Sequence, residues 1–322
     1  MAAESGGNIV WFTYTGADGE VINEEATHII VDKDCTVVRA GVFREHPNIV
    51  EVIFNEDVEK IERNAFRGCP SLRRVIMRGV KIVEQDAFMS CHALEYVECD
   101  KLEIVGRGAF GWCDSLRSIN LPSARIVDGF AFRSCDALTY VKFGNKLGRI
   151  KEFAFHNCRS LERITIPLKD GLIARVNIFQ GCVNLRHADL IEGELHETIA
   201  ALHMEEWRND MNEEIDSIHQ ILPDLNPGGW DGSDVGDPGE KSQAIRGWIR
   251  SVLRKITHYQ AEHRRLLEED VANTLVLVLP NNDIVVKCVL PFLELPPYTF
   301  EVWGDDDEDD SDEDTDSSDN EE

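Results

Sequence analysis

The chain has 322 residues, a hydrophobic content of 43% and a formal net charge of −27 at pH 7. This length exceeds that of a typical single domain, so we expect one extended body with accessory segments. The acidic excess should repel nucleic acids and anionic membranes and attract basic proteins, so it favours a protein partner over nucleic acid or a membrane.

Residues 1–37 precede a repeated region and are interpreted as an N-terminal β cap. Two apolar runs, IVWFTY and THIIV, lie on either side of turn-like residues 16–19 and predict a hairpin outside the repeat register. Such a cap would shield the first repeat from water and from edge-to-edge association. The first residues have no basic flank, long apolar stretch or cleavage pattern, so no signal peptide is expected.

Residues 38–190 contain seven repeats of 22–24 residues, which are marked by a recurring phenylalanine. Other columns move in step with it: an aliphatic residue five positions before, a small apolar residue immediately before, a cysteine three positions after and a leucine six positions after. The phenylalanines are Phe43, Phe66, Phe88, Phe110, Phe132, Phe155 and Phe179, and the cysteines are Cys69, Cys91, Cys113, Cys135, Cys158 and Cys182, with His46 in the first repeat.

The segment after each leucine predicts a short strand, as in LRRVIM and LTYVKF. Its fourth and sixth residues are apolar, so Val75 and Met77, or Val141 and Phe143, should point inward while their neighbours point outward. Each repeat is then one rung, and stacking of rungs about 4.8 Å apart would build a continuous core.

The cysteine column raises the question of a metal site, but no two cysteines lie two to four residues apart as zinc ligands usually do. We therefore interpret the column as a ladder of buried thiols that act as small hydrophobic residues, and we predict no cofactor. Nine cysteines in a long chain without a secretory signal suit a reducing compartment, so the predicted location is cytoplasmic or nuclear.

Outward positions on the strands form two rows on one face of the predicted array. The first row is Glu51, Arg74, Tyr96, Ser118, Tyr140, Arg163 and His187, and the second is Ile53, Ile76, Glu98, Asn120, Lys142, Thr165 and Asp189. Tyrosine and arginine are favoured at recognition hot spots because they combine contact area with directed hydrogen bonds. The predicted partner-binding surface is Arg74, Ile76, Tyr96, Asn120, Tyr140, Lys142 and Arg163.

The repeated pattern I/V-x-x-x-A-F-x-x-C-x-x-L-x-x-V/I-x-L/F resembles the BspA-type leucine-rich repeats. The resemblance covers roughly residues 38–190 and implies a parallel-stranded solenoid for protein or ligand recognition, without catalytic residues to transfer. The whole layout, including the C-terminal region, is similar to that of intracellular leucine-rich repeat proteins of diatoms.

Residues 191–303 change from strand to helical periodicity. A first helix is predicted within residues 193–222 and a second over residues 241–267, on either side of a Pro/Gly/Asp-rich linker near 223–240. The second helix has a coiled-coil-like seam formed by Ile245, Ile249, Val252, Ile256, Tyr259, His263 and Leu266. The first helix is acidic and the second basic, so pairing as a hairpin is the simplest interpretation. The alternatives are homodimerisation through residues 241–267 and docking of the acidic tail on the basic helix.

Two segments complete the chain. Residues 279–293 bear a faint likeness to the opening of an F-box, which would imply an adaptor that delivers bound proteins to a ubiquitin ligase; a final packing segment is the alternative. In residues 305–322, thirteen of eighteen residues are acidic, which predicts a disordered tail over residues 304–322.

No phosphate-binding loop, nucleophile elbow, paired-histidine metal signature or kinase motif is found in the sequence, so no enzymatic activity is predicted. The predicted fold class is α+β: a leucine-rich repeat solenoid of about seven β-rungs with an N-terminal β cap, a C-terminal helical hairpin and a disordered acidic tail. The predicted function is a protein-interaction module or scaffold, with the F-box-like adaptor as the alternative.

Overall fold

The structure is a computed structural model that describes residues 9–173, 177–191, 199, 202, 204–218, 222 and 240–278. The predictions for most of the linker near 223–240, for residues 279–303 and for the tail at 304–322 therefore lie outside the described residues. The described part is a stack of short parallel strands followed by two helices.

Each complete rung contributes two strands, one to a front sheet and one to a back sheet. The front strands are β1 (Trp11–Tyr14), β2 (His28–Val31), β4 (Glu51–Ile53), β6 (Arg74–Ile76), β8 (Tyr96–Glu98), β10 (Ser118–Leu121), β12 (Tyr140–Phe143), β14 (Arg163–Ile166) and β15 (His187–Leu190). The back strands are β3 (Val37–Val38), β5 (Lys60–Ile61), β7 (Ile82–Val83), β9 (Ile104–Val105), β11 (Ile126–Val127) and β13 (Arg149–Ile150).

All strand pairs are parallel, as the repeat predicts. The front sheet has the order β1-β2-β4-β6-β8 and continues as β10-β12-β14-β15, and the back sheet runs β3-β5-β7-β9-β11-β13. The aliphatic column five positions before the phenylalanine forms the back strands, which sequence reasoning did not assign as strands because each is only two residues long. Short buried strands of this kind carry too little alternation to be recognised by periodicity.

The N-terminal hairpin expectation is wrong. β1 pairs with β2 in parallel, and β2 pairs with β4 so that His28 lies opposite Glu51, 23 residues later. Gly16 and Gly19 have positive φ and turn the chain, but the connection then makes a full circuit instead of reversing. A parallel pair needs such a crossover, so residues 9–37 cap the array as two further turns of the same sheet.

The phenylalanine column forms the centre of the core. Successive rings from Phe43 to Phe179 stack with centroids 4.8–5.7 Å apart and with interplanar angles of at most 16°. The parallel register places equivalent residues of adjacent rungs directly over one another, so the sequence period determines which side chains touch.

Truncation in the middle of this stack should be strongly destabilising. Phe110 is fully buried between Phe88 and Phe132, so Phe110→Ala should lower the free energy of unfolding by about 3–5 kcal/mol through lost burial and a cavity. Urea denaturation followed by circular dichroism measures the change. Phe153→Ala, at a partly exposed ring, is the matched control and should cost less than about 1.5 kcal/mol. Equal losses would contradict the stack as the centre of the core.

The cysteine ladder is buried, as predicted, and it also has a hydrogen-bonding role that sequence reasoning missed. Each thiol donates to the backbone carbonyl of the phenylalanine in the preceding rung, for example Cys113 Sγ to Phe88 O at 3.3 Å and Cys158 Sγ to Phe132 O at 3.0 Å. The same bond recurs from Cys69, Cys91, Cys135 and Cys182 at 3.0–3.1 Å. His46, which replaces cysteine in the first repeat, donates from Nε2 to Asn23 O at 3.0 Å.

The two helices are α1 (Glu205–Asp216) and α2 (Glu240–Val278). α1 begins later than the predicted range because Met204 is still extended, with φ −99° and ψ 137°, and α2 continues eleven residues beyond residue 267. The helices pair with each other. Lys255 Nζ lies 2.9 Å from Asp210 Oδ1 and 3.1 Å from Glu214 Oε2, and Trp207 stacks on Tyr259 at 5.2 Å.

The hairpin interpretation is therefore confirmed within one chain. The seam residues Ile245, Ile249, Val252 and Ile256 are buried in this arrangement. Homodimerisation through residues 241–267 would have to compete with this packing, and it stays a prediction.

The start of α2 seals the last rung of the solenoid. The side chain of Lys241 is buried, and its ammonium donates to Cys182 O at 2.9 Å, Val183 O at 3.1 Å and Leu185 O at 2.8 Å. In an earlier rung the carbonyl equivalent to that of Val183, Asp114 O, accepts from Ala137 N of the following rung at 3.1 Å. The lysine thus supplies donors where the repeat ends, and Arg250 adds an ion pair to Asp170 at 3.2 Å.

Candidate functional site

The predicted contact residues lie together on the outward side of the front strands, which we call the strand face. The register aligns Glu51, Arg74 and Tyr96 in one row and Ser118, Tyr140 and Arg163 in its continuation. The second row aligns Ile53, Ile76 and Glu98, and then Asn120, Lys142 and Thr165. Seven side chains scattered over ninety residues of sequence therefore share one surface.

The N-terminal half of the strand face is built around Tyr96. The ring is 48% exposed, and the guanidinium of Arg74 lies 5.2 Å from its centroid. Arg74 also pairs with Glu51 at 3.2 Å, and the Tyr96 hydroxyl lies 3.4 Å from Glu98 Oε2. The tyrosine is thus held in place while a large part of its ring remains available for contact.

Sequence reasoning missed how far this half extends, because it treated the first rungs as a separate cap. Trp11 and His28 continue the first row, with ring centroids 4.8 Å apart, and Ile30 precedes Ile53 in the second row. Trp11 is 51% exposed and Ile30 is 41% exposed. The isoleucines of the second row therefore lie beside a first row that has Trp11 and Tyr96 at its ends and polar side chains between them, a composition typical of protein contact surfaces.

The C-terminal half is more polar and differs from prediction at one position. Thr165, expected to point outward to solvent, is buried, and its hydroxyl lies 3.2 Å from the hydroxyl of Tyr140, which is itself partly buried. Lys142 and Asn120 are exposed, and Arg163 pairs with Asp189 at 3.0 Å. Tyr140 therefore presents less surface than Tyr96.

A second cluster lies where the turns around the phenylalanine column form one edge of the solenoid. We call it the edge patch, and it consists of Arg107, Trp112, Phe130, Arg133, Phe153 and His156. The guanidinium of Arg133 lies 4.7 Å from the centroid of the Trp112 ring and 5.6 Å from that of Phe130. Phe130 stacks on Phe153 at 5.1 Å, and Arg107 lies 5.3 Å from the Phe130 centroid.

The backbone at the edge patch is unusual for its residues. Positions two before and two after the phenylalanine column adopt left-handed φ, and most rungs place Gly, Asn, Asp or Ser there. Phe130, Phe153 and Trp112 occupy the same positions with φ of 60°, 56° and 55°. Bulky residues rarely adopt this conformation, so the departure from the column is the sequence signal that would have revealed the patch.

Several of the buried cysteines are poorly suited to metal binding or thiol chemistry. Burial raises the pKa of Cys91, Cys113 and Cys158 well above the ordinary thiol value and that of Cys99 to about 12. A protonated, buried thiol is a poor nucleophile and metal ligand. Within the part of the chain that the structure describes, no group of three or more His, Cys, Asp or Glu residues is placed to hold a metal ion.

Among the residues that the structure describes, no helix is both long enough and apolar enough to cross a bilayer.

Comparison with known proteins identifies the repeat. The family profile described as BspA type leucine rich repeat region matches in six copies over residues 22–125 and 103–201, which together span more than half of the chain. Its start at residue 22 agrees with the observation that β2 lies in the repeat register. Comparison with curated protein sequences gives no match.

Several solved bacterial leucine-rich repeat structures resemble this one. The leucine rich repeat protein of T. pallidum is 21% identical, with 55% of this chain and 72% of that chain covered and a TM-score of 0.38. The pneumococcal vaccine antigen PcpA is 16% identical, with 56% and 54% covered and a TM-score of 0.37, and a leucine-rich repeat protein from Bacteroides ovatus is 20% identical, with 52% and 61% covered and a TM-score of 0.26. The chain thus spans about half the length of the pneumococcal antigen. These distant likenesses transfer no residue roles.

Proposed function

Because the chain belongs to the BspA-type leucine-rich repeat family, whose solenoid is generally a protein-interaction scaffold, we propose that it binds a protein partner through its strand face. The observation that supports this most directly is the exposed stripe of Trp11, Ile30 and Tyr96 on a rigid parallel sheet. A rigid array holds these side chains in place before binding, which lowers the entropic cost of association.

The arrangement favours a partner that offers an apolar anchor with basic residues around it. Glu51, Glu98 and Asp189 lie on the strand face, and the whole chain carries a charge of −27. A basic partner would be steered towards this surface by long-range attraction, and the apolar stripe would then provide the affinity. A non-enzymatic scaffold in the cytoplasm or nucleus is the role that we propose.

We expect Tyr96→Ala and Tyr140→Ala to weaken partner binding, with the larger effect at Tyr96 because its ring is more exposed. Loss of a hot-spot aromatic commonly costs about 2 kcal/mol or more, or about thirtyfold in affinity. Quantitative mass spectrometry of proteins captured by the full-length chain, followed by titration of the purified partner, measures the change.

The matched control is Ile126→Ala, which removes an exposed apolar side chain from the back sheet instead of the strand face. It should leave binding unchanged. Partners retained equally by all three variants would refute the strand face as the contact surface.

The F-box-like segment at residues 279–293 lies outside the described residues, so the adaptor alternative stays a prediction. It requires that a ubiquitin-ligase core be captured and be lost on deletion of that segment.

A further inference from the structure

The edge patch has features that packing within the solenoid does not account for. Phe130, Phe153 and Trp112 occupy left-handed backbone positions at which most rungs have Gly, Asn, Asp or Ser. Side chains held in sparsely populated conformations are concentrated at binding sites, where the surrounding structure maintains them. Here the result is a partly exposed row of aromatic rings with arginines against their faces.

The patch also lacks acceptors for its donors. The Nε atom of Arg133 and the Nδ1 atom of His156 are buried without a hydrogen-bond partner. In the described part of the chain, no carboxylate pairs with Arg107 or Arg133, whereas Arg74 and Arg163 on the strand face each have an acidic partner. The missing component is a ligand that brings carboxylates next to a flat apolar group.

We propose that the edge patch binds the acidic C-terminal segment of this same chain, around residues 298–310. That segment reads YTFEVWGDDDEDD, so it places Tyr298, Phe300 and Trp303 immediately before six consecutive acidic residues. The aromatic residues match the exposed rings, and the carboxylates match the arginines. The two halves of the required ligand thus occur side by side in this sequence.

Charge favours this occupant over a separate acidic protein. The whole chain carries a charge of −27, which repels a free acidic partner at long range. In a tethered segment this cost is offset, because linkage raises its local concentration to about the millimolar range.

The connecting chain is long enough. α2 contains 39 residues and therefore spans about 58 Å from its first turn, which Lys241 holds against the last rung. The edge patch lies within about 15 Å of that rung along the stack, since rungs repeat at about 4.8 Å. The 24 residues between Val278 and Trp303 can extend over about 80 Å, which exceeds the largest separation this allows.

The basic side of α2 is the competing site for the same segment, and there Lys255 and Arg265 already have acidic partners, whereas Arg254 and Arg264 are exposed. Lys255 pairs with Asp210 and Glu214, and Arg265 pairs with Glu262 and Glu269 at 2.8 and 3.0 Å. The edge patch differs in that Arg107 and Arg133 lie over aromatic rings, which, among the described residues, Arg254 and Arg264 of α2 do not.

Photo-cross-linking in the full-length chain tests the proposal. With p-benzoylphenylalanine in place of Phe153, irradiation should give a cross-link to a peptide within residues 298–322, in the band of a single chain. The same probe in place of Tyr140, on the strand face, is the matched control and should give at least about fivefold less of this product. Raising NaCl from about 50 to about 500 mM should reduce the yield, because the carboxylate–arginine attraction is screened.

Two sets of variants separate binding from folding. Arg107→Gln with Arg133→Gln should lower the cross-link yield at least fivefold, whereas Arg117→Gln, at an exposed position of the same rungs, should not. Neutralising residues 305–310 to Asn or Gln should have the same effect as the patch variants without touching the solenoid. The proposal is overturned if position 140 reacts equally, if the tail cross-links instead to a probe at His258 on α2, or if the product forms only between two chains.

Discussion

Raising the pH above about 8.5 should destabilise this protein much more steeply than an ordinary domain, because several buried cysteines must stay protonated. Burial raises the pKa of Cys91, Cys113 and Cys158 well above the ordinary thiol value, and that of Cys99 to about 12. An unfolded thiol ionises near pH 8.5. The stabilising effect is thus fully present below that pH and is lost progressively as the pH rises towards the folded pKa values.

The size of the effect follows from the number of thiols. Between pH 8.5 and 9.5 each thiol that ionises only in the unfolded chain shifts the unfolding equilibrium about fivefold, so these four give about three powers of ten. The proton also carries the hydrogen bond from Cys113 Sγ to Phe88 O, which a thiolate cannot donate. Urea denaturation under reducing conditions at pH 7.5, 8.5 and 9.5 measures the dependence.

A Cys113→Ala variant isolates one member of the ladder. It will be less stable at neutral pH, since it loses a buried sulfur and a hydrogen bond, but the informative quantity is the slope against pH. The change in the unfolding equilibrium between pH 8.5 and 9.5 should become about fivefold smaller. An unchanged slope, or rapid labelling of the ladder thiols in the native protein, would show that the cysteines are not held protonated in the core.

The core of this fold was predictable because a parallel solenoid converts sequence spacing into contact. Phe66 and Phe88 stand 22 residues apart and their rings stack at 5.2 Å, so finding the period was equivalent to finding the neighbour. The same argument located the strand face from Arg74 to Arg163. It failed at β1, where Trp11 and His28 pair at a spacing of 17 residues and no phenylalanine marks the turn.

The edge patch and the seal at the last rung needed more than the spacing of the apolar columns. Phe130 and Phe153 contradict the backbone preference of their positions, so propensity alone predicts small residues there. In the sequence, Lys241 is one of several basic residues on a basic helix. Its role is visible only once the helix is packed against the carbonyls of residues 182–185. The contact of Lys241 depends on how the helix packs against the last rung, which local sequence patterns do not encode.

Replacing Lys241 by methionine should detach the helical hairpin from the solenoid. The substitution keeps the length of the side chain but removes the donor to the carbonyls of Val183 and Leu185, while Cys182 O keeps its bond from the Leu185 amide. Burying unsatisfied acceptors and losing bonds to a charged group should together cost about 3 kcal/mol. Hydrogen exchange should then accelerate in α2 while the amides of the central rungs keep their protection, because each rung of a solenoid depends mainly on its neighbours.

Lys255→Met is the matched control for this prediction, since Lys255 is also on α2 and also makes two short contacts, to Asp210 and Glu214. Its side chain is 31% exposed, so water replaces the lost partners and the expected cost is at most about 1 kcal/mol. A difference between the two lysines would assign the docking energy to the three solenoid carbonyls. If both variants lost protection in α2 equally, pairing between the helices would be what holds the hairpin. The buried carbonyls at the last rung would then have to find donors other than Lys241.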